Sequence, residues 1–301
     1  MHLRKHLLYI FAGLLILALF YFFALSDFFR PPQLTSYENF TDISEDYDAT
    51  DEIEAAQKAY AQSPAQAAVI QGNPNNGQVI YLTFNGMESR GNMDAILKIL
   101  RDRGLKVSFF VEGANAAHEE TIIQKMQNDG HLIGNYSFVG LTKAERLDTA
   151  RLLEQFCKTQ KVLELTTGAP AAYFALPDTR YLPALLRAAK ASGLDYAVAS
   201  TLTITESDLT QPDGVTKLLA QIQPGMILSI RLDHPVPIQF YNKEDVDPRP
   251  AIDKGPTIVD APPQATKSVS VVDAVAALCD GLAAAGYTTA PVSELTTPVN
   301  T

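Results

Sequence analysis

The sequence predicts an α/β fold in which a parallel sheet is covered by helices. Three observations lead to this prediction. Short runs rich in β-branched and aromatic residues, such as VIYLTF at 79–84, have the composition of buried strands. Amphipathic stretches separate these runs, and the alternation repeats about seven times, as in strand–helix units of a parallel sheet. About seven or eight such units usually close into a barrel, so we expect a distorted, TIM-like (β/α)7 barrel.

Each predicted helix carries an apolar stripe and ends near a glycine. Between 92 and 104, for example, Ile96, Leu97 and Leu100 share one helical face and Gly104 ends the segment. Strands are predicted at 79–84, 105–113, 131–138, 171–177, 195–200 and 226–232. Helices are predicted at 92–104, 118–130, 143–168, 181–193, 214–225 and 269–286. Parallel strands end at one edge, so a site is expected among the residues that follow them.

Residues 7–25 form an uncharged apolar run close to the roughly 20 residues that a membrane-spanning helix needs. The run exceeds the core of about 7–15 residues found in a cleaved signal peptide. It also lacks the polar face expected of a buried soluble helix. Arg4 and Lys5 precede the run and Asp27 follows it, which places residues 1–6 in the cytoplasm. We therefore expect a single-pass signal anchor in the cell membrane, with the C-terminal domain outside the cytoplasm.

The remaining chain divides into an acidic stalk and one folded domain. The stalk is predicted over 26–77, where nine acidic residues and one basic residue lie between 27 and 54, with a possible short helix at 52–62. The domain is predicted over 78–296. A proline-rich insertion at about 233–270 interrupts it, either as a cover for the site or as an irregular arm. The net charge of −10, without a basic cluster, argues against nucleic acid as a partner.

Cys157 and Cys279 both fall in predicted helices. Outside the cytoplasm the two thiols could pair, and within a core each would serve as a small apolar side chain. The sequence leaves these two interpretations open. Neither cysteine belongs to a CxxC pair, so no redox or zinc motif is predicted.

Five blocks of the chain resemble the motifs of the polysaccharide deacetylases, also called NodB-homology or carbohydrate esterase family 4 proteins. The blocks are VIYLTFNG at 79–86, ILKILRDRGLKVSFFVEGANA at 96–116, MQNDGHLIGNYS at 126–137, YFALP at 173–177 and GYTTAPVSEL at 286–295. Their order and spacing agree with those of the family. The resemblance implies a distorted (β/α)7 barrel of the deacetylase type and a role in carbohydrate metabolism of the bacterial cell wall.

The resemblance also implies where the family's chemistry would lie. Family members use a base aspartate, one aspartate and two histidines that hold zinc or another divalent ion, an arginine beside the base and a late histidine acid. These positions fall on Asn85 for the base, on Gly86, Tyr136 and Gly140 for the metal ligands, on Ala175 for the arginine and on Arg231 for the acid. An amide is no base, glycine offers no ligand and arginine stays protonated near pH 7. We therefore expect a pseudoenzyme without a metal cofactor.

Other residues leave room for a rearranged site. His234 in RLDHP is an alternative acid, although strand alternation places it on the face opposite Arg231. Several carboxylates could contribute to a metal site, but no spacing commits them, so we expect them to be solvated rim charges: Glu88, Glu112, Asp178, Glu206 and Asp208. The candidates for a ligand groove are Asn85, Glu88, Tyr136, Phe138, Asp178, Arg231 and Asp233.

Three functions are compatible with these sequence features. The first is a membrane-anchored, extracytoplasmic, deacetylase-like protein without catalysis, which binds a cell-envelope glycan such as peptidoglycan or an envelope protein. The second is an active carbohydrate N-deacetylase, a hydrolase of C–N bonds other than peptide bonds, with a rewired site. The third is a structural protein of envelope assembly with no glycan ligand.

Overall fold

The computed structural model describes residues 47–232 and 268–296. The predicted anchor at 7–25 and the candidate residues Asp233 and His234 lie outside the described residues, as does most of the proline-rich insertion. Within the described ranges, no helix combines the length and the apolar character that crossing a membrane would require.

One parallel sheet organises the domain. Its strands are β1 (Ala68–Ile70), β2 (Val79–Asn85), β3 (Ser108–Val111), β4 (Leu132–Asn135), β5 (Tyr173–Phe174), β6 (Tyr196–Val198), β7 (Leu202–Thr205), β8 (Ile227–Arg231) and β9 (Thr288–Thr289). The strand order is β1-β6-β5-β4-β3-β2-β8-β7, and β9 pairs with the start of β2. The carboxyl ends of these strands therefore lie along one edge.

The predicted distorted barrel is confirmed as a parallel, curled α/β fold, but the described strands form a half-barrel rather than a closed barrel. Strands β1 and β7 end the order, and no ladder joins them. A closed barrel needs continuous ladders with a consistent stagger. Here β5 has only two residues and meets β4 at a single register pair, Asn135 with Phe174. Strands β1 and β7 were not predicted, because their short runs give little periodic signal.

Helices cover the sheet. They are α1 (Thr50–Gln62), α2 (Arg90–Asp102), α3 (Gly113–His118), α4 (Glu120–Asn128), α5 (Thr149–Thr167), α6 (Pro183–Ala191), α7 (Glu206–Leu209), α8 (Gly214–Leu219) and α9 (Val271–Ala284), with 3-10 turns at Ala144–Arg146 and Val292–Leu295. Helix α5 begins later than predicted because the Asp148 carboxylate caps it by accepting from Arg151 N at 2.8 Å. The helix predicted at 118–130 is α4, and the short helix α3, which ends just before it at His118, was not predicted.

The stalk predicted over 26–77 is folded in its C-terminal part. Helix α1 packs on α5 and α6, and β1 adds a strand to the sheet beside β6. Glu52 pairs with Lys161 at 2.6 Å. Arg187 lies 4.0 Å from the Tyr60 ring centroid and donates to the Ser63 carbonyl at 2.8 Å. Residues 50–70 therefore belong to the domain, because their apolar and polar contacts compensate for the acidic composition.

Both cysteines are buried and free. Cys157 donates to the Glu52 carbonyl at 3.6 Å, and Cys279 lies in the core on α9. Burial raises the pKa of the Cys279 thiol to about 11, which keeps it protonated. The structure thus supports the interpretation of two small core residues.

Candidate functional site

A cleft of about 320 Å³ opens at the carboxyl edge of the sheet. It lies over the ends of β2, β4, β5, β6 and β8, where a site was predicted. Four predicted groove residues line it together: Asn85, Tyr136, Asp178 and Arg231. Ala175, at the family's arginine position, also lines it and carries no polar group.

Tyr136 supplies a buried hydroxyl to the cleft. It directly follows β4, and its backbone N–H donates to the Val111 carbonyl at 3.0 Å. The side chain is 2% exposed, and its hydroxyl has no hydrogen-bond partner among the described residues. Burial, and then the nearby Glu112 carboxylate, raise the pKa of the phenol well above its usual range. At neutral pH the Tyr136 hydroxyl is therefore protonated, and no described residue accepts a hydrogen bond from it.

Arg231 and Asp178 place two charges at the same cleft. Arg231 is the last residue of β8 and stands in register beside Asn85. Its guanidinium Nη1 lies 3.3 Å from Asp178 Oδ2. Asp178 adopts a left-handed backbone conformation with φ of 48°, which aspartate tolerates better than most residues. Because both side chains are partly exposed, the pair can be rearranged by a ligand at modest cost.

A chain of buried hydroxyls fixes the amide of Asn85 beneath the cleft. Thr83 Oγ1 donates to Asn85 Oδ1 at 3.1 Å and lies 2.7 Å from Ser229 Oγ. Ser229 also contacts the hydroxyl of Ser200, a cleft residue. Thr83 and Ser229 are fully buried on neighbouring strands, so this network orients Asn85 from within the sheet.

The described residues do not fit the family's metal ion. Gly86 and Gly140 have positive φ values of 91° and 67°. A Cβ at Gly86 would lie 3.1 Å from Glu112 Oε1, and a Cβ at Gly140 would lie 3.3 Å from the same atom. Within 47–232 and 268–296, no group of three or more His, Cys, Asp or Glu side chains is placed to hold a metal. The Glu112 carboxylate stands where the family's ligand side chains would enter.

Two predicted groove residues serve other roles. Glu88 Oε2 accepts from Asn92 Nδ2 at 2.9 Å at the start of α2. Phe138 is buried in the core, and Lys158 Nζ lies 5.5 Å from its ring centroid. Neither residue is among those that line the cleft. Ser137, which lies between Tyr136 and Phe138, has a left-handed φ of 61°.

The sequence missed one contributor to the site and misjudged another. Ser200 lines the cleft although no motif singled it out, whereas Tyr181, which also lines it, is one of the tyrosines that could offer an aromatic face to a sugar. Glu112 was expected at the solvated rim, yet it is only 5% exposed. Its place immediately after β3 was the available signal, since residues at such ends point toward the site.

The chemistry of the cleft favours binding. Tyr136 donates from a protonated phenol, Asn85 carries an amide and Arg231 a permanent cation. Asp178 is the carboxylate among the described lining residues, and it is engaged with Arg231. Such groups hold hydroxyl, carbonyl and amide oxygens well. These groups are poorly suited to remove a proton from a water molecule.

Comparison with known proteins agrees with this architecture. The family model described as polysaccharide deacetylase matches residues 72–197. The Bacillus subtilis protein YlxY is 28% identical over 167 residues, covering 56% of this chain and 51% of that protein. A peptidoglycan-N-acetylglucosamine deacetylase of Bacillus cereus is 26% identical over 166 residues, covering 54% and 58% respectively. The chain thus matches about half the length of these curated relatives.

The fold also matches a solved structure. The crystal structure of a carbohydrate esterase family 4 pseudoenzyme from Bacillus anthracis superposes with a TM-score of 0.56 at 17% identity, covering 81% of each chain. At this identity the likeness concerns the fold alone. The motif blocks, the half-barrel and the family model that matches residues 72–197 agree with one another: this part of the chain is similar to the polysaccharide deacetylase family, with other residues at the family's active-site positions.

Proposed function

We propose that this protein binds an N-acetylated cell-envelope glycan in the cleft and does not hydrolyse it. The observation that carries the proposal is the Tyr136 hydroxyl, which is buried beside the cleft without a hydrogen-bond partner among the described residues. A buried unpaired donor costs about 1–3 kcal/mol, and a ligand oxygen would recover that cost. The acetamide carbonyl of an N-acetylated sugar is such an oxygen.

The absence of hydrolysis follows from the residues at the family's reactive positions. Asn85 stands at the base position, Arg231 at the acid position and Gly86 at a metal-ligand position. None of these can take up or release a proton near pH 7 or coordinate zinc. The named relatives support a glycan ligand, since one is a peptidoglycan-N-acetylglucosamine deacetylase. The Bacillus anthracis neighbour, a pseudoenzyme, supports loss of catalysis within this fold.

The proposed location is the outer face of the cell membrane. Its support is the uncharged run at 7–25, with basic residues before it and an acidic residue after it. Anchored there, the domain would meet envelope glycan directly, and an envelope protein is the other partner to be considered. Protection of the domain from protease in intact cells would contradict this orientation.

The binding test is calorimetric titration of the purified full chain with N-acetylated chitooligosaccharides and soluble peptidoglycan fragments, without added metal. Tyr136→Phe removes only the hydroxyl and should weaken binding about tenfold, the effect of one well-placed hydrogen bond. Tyr173→Phe is the matched control, because its hydroxyl bonds to Thr296 away from the cleft. Equal loss in both variants, or no binding by the parent, would refute the proposal.

A further inference from the structure

The Glu112 side chain lies between two glycines that occupy metal-ligand positions of the family. Glu112 follows β3, which pairs with β2 on one side and β4 on the other. Its side chain is buried, and Asn115 Nδ2 donates to Oε2 at 3.3 Å. The remaining oxygen, Oε1, is directed toward Gly86 and Gly140.

The distances at both glycines are shorter than ordinary contacts of a side-chain Cβ. A Cβ at Gly140 would lie 3.2 Å from Glu112 Cγ and 3.3 Å from Oε1, which is closer than ordinary van der Waals contact. A Cβ at Gly86 would lie 3.1 Å from the same Oε1. On its other side, that Cβ would lie 2.7 Å from the Leu232 carbonyl oxygen. Leu232 is held there because its N–H donates to the Asn85 carbonyl at 2.9 Å.

We propose that the Glu112 side chain closes the former metal pocket, so that the pocket is filled by the protein itself. Position 140 favours glycine because of its φ of 67°, and Glu112 adds a second constraint by occupying the adjacent volume. Reintroducing histidines at 136 and 140 therefore does not rebuild a metal site while Glu112 remains. The backbone of Leu232 imposes a second block at position 86.

This arrangement distinguishes two possible roles of the carboxylate. If Glu112 fills the pocket, removing it makes room for a metal bound by introduced histidines. If it instead replaced the family's aspartate as a ligand, removing it would weaken such binding. The geometry points to the first role, since Oε1 lies beside the positions from which the aspartate side chain at 86 and the histidine side chain at 140 would start.

The first test is a double-mutant cycle on the full chain, followed by urea unfolding. Gly140→Ala should lower the folding equilibrium constant about tenfold more in the parent than in a Glu112→Ala background, because the added methyl meets Glu112 only in the parent. Gly104→Ala is the matched control. Its φ of 64° imposes the same backbone strain, but a Cβ there contacts nothing within 4 Å. It should show no coupling to Glu112→Ala.

The second test uses zinc alone as the probe. Tyr136→His with Gly140→His is compared with the same pair plus Glu112→Ala, by elemental analysis after dialysis and by competition titration. Zinc affinity should rise at least about tenfold when Glu112 is removed. A fall in zinc affinity on removing Glu112, or an uncoupled cycle at Gly140, would overturn the proposal. Neither readout depends on glycan binding, so this inference and the proposed function can fail separately.

Discussion

At the residue scale, the sequence predicted the positions of some side chains of the site and not of others. Asn85, Tyr136 and Arg231 were predicted together because each directly follows or ends a strand, and parallel strands end at one edge. The burial of Glu112 could not be predicted. It depends on the empty volume beside Gly86 and Gly140, which are distant in sequence from each other. Phe138 is buried in the core rather than lining the cleft, and a strand pattern alone does not predict the left-handed backbone of Ser137 before it.

His131 offers a prediction about pH at the same scale. It is 6% exposed, its Nε2 has no hydrogen-bond partner among the described residues, and Val107 N donates to its Nδ1 at 3.3 Å. Burial, followed by the charge of Lys106, lowers the pKa of His131 from 6.5 to about 4. Between pH 6.5 and about pH 4, His131 therefore binds a proton in the unfolded chain but stays neutral in the folded chain.

The stability that His131 gives is thus complete above pH 6.5 and is lost as pH falls toward 4. We expect the parent to lose on the order of 2 kcal/mol from this residue between pH 7.5 and 4.5. His131→Gln should remove that part of the loss in urea unfolding at the two pH values. His118→Gln, at a half-exposed position, is the control. An unchanged pH dependence in His131→Gln would exclude this role.

At the scale of elements, periodicity predicted the long and strongly patterned segments and missed the short ones. Strand β2 and helix α2 lie close to their predicted bounds because each buries a full apolar face. Strand β1 has three residues, of which two are exposed, so its sequence carries no burial pattern. It forms a strand because its backbone pairs in parallel with β6. Tertiary pairing, rather than local preference, decides such elements.

Helix α1 provides a test at this scale, since the sequence assigned it to a stalk. Ala56 on α1 is 3% exposed and packs in the core, whereas the neighbouring Ala55 is exposed. Ala56→Asp should lower the free energy of unfolding by about 2 kcal/mol or more, because it buries an unpaired charge. Ala55→Asp should change it by less than about 0.5 kcal/mol. Equal small effects in urea unfolding would show that α1 is detached from the domain.

At the scale of the whole molecule, the half-barrel has a cleft at its carboxyl edge, and the residues at the family's reactive positions differ from those of the family. The sheet order and the hydroxyl network beneath Asn85 still hold the strand ends in position. The fold was predictable because it depends on many apolar residues, whereas the site depends on a few positions. A scaffold of this kind can retain ligand binding after its chemistry has changed, since the two properties use different residues.

Whether the cleft binds glycan without hydrolysing it is measured most directly by acetate release from N-acetylated chitooligosaccharides or peptidoglycan, using the full chain with and without added zinc. Binding of the same oligosaccharides is followed in parallel by titration. We expect measurable binding and no acetate above the buffer control in either condition. Acetate release that requires zinc and the parent residues of the cleft would contradict the proposed function.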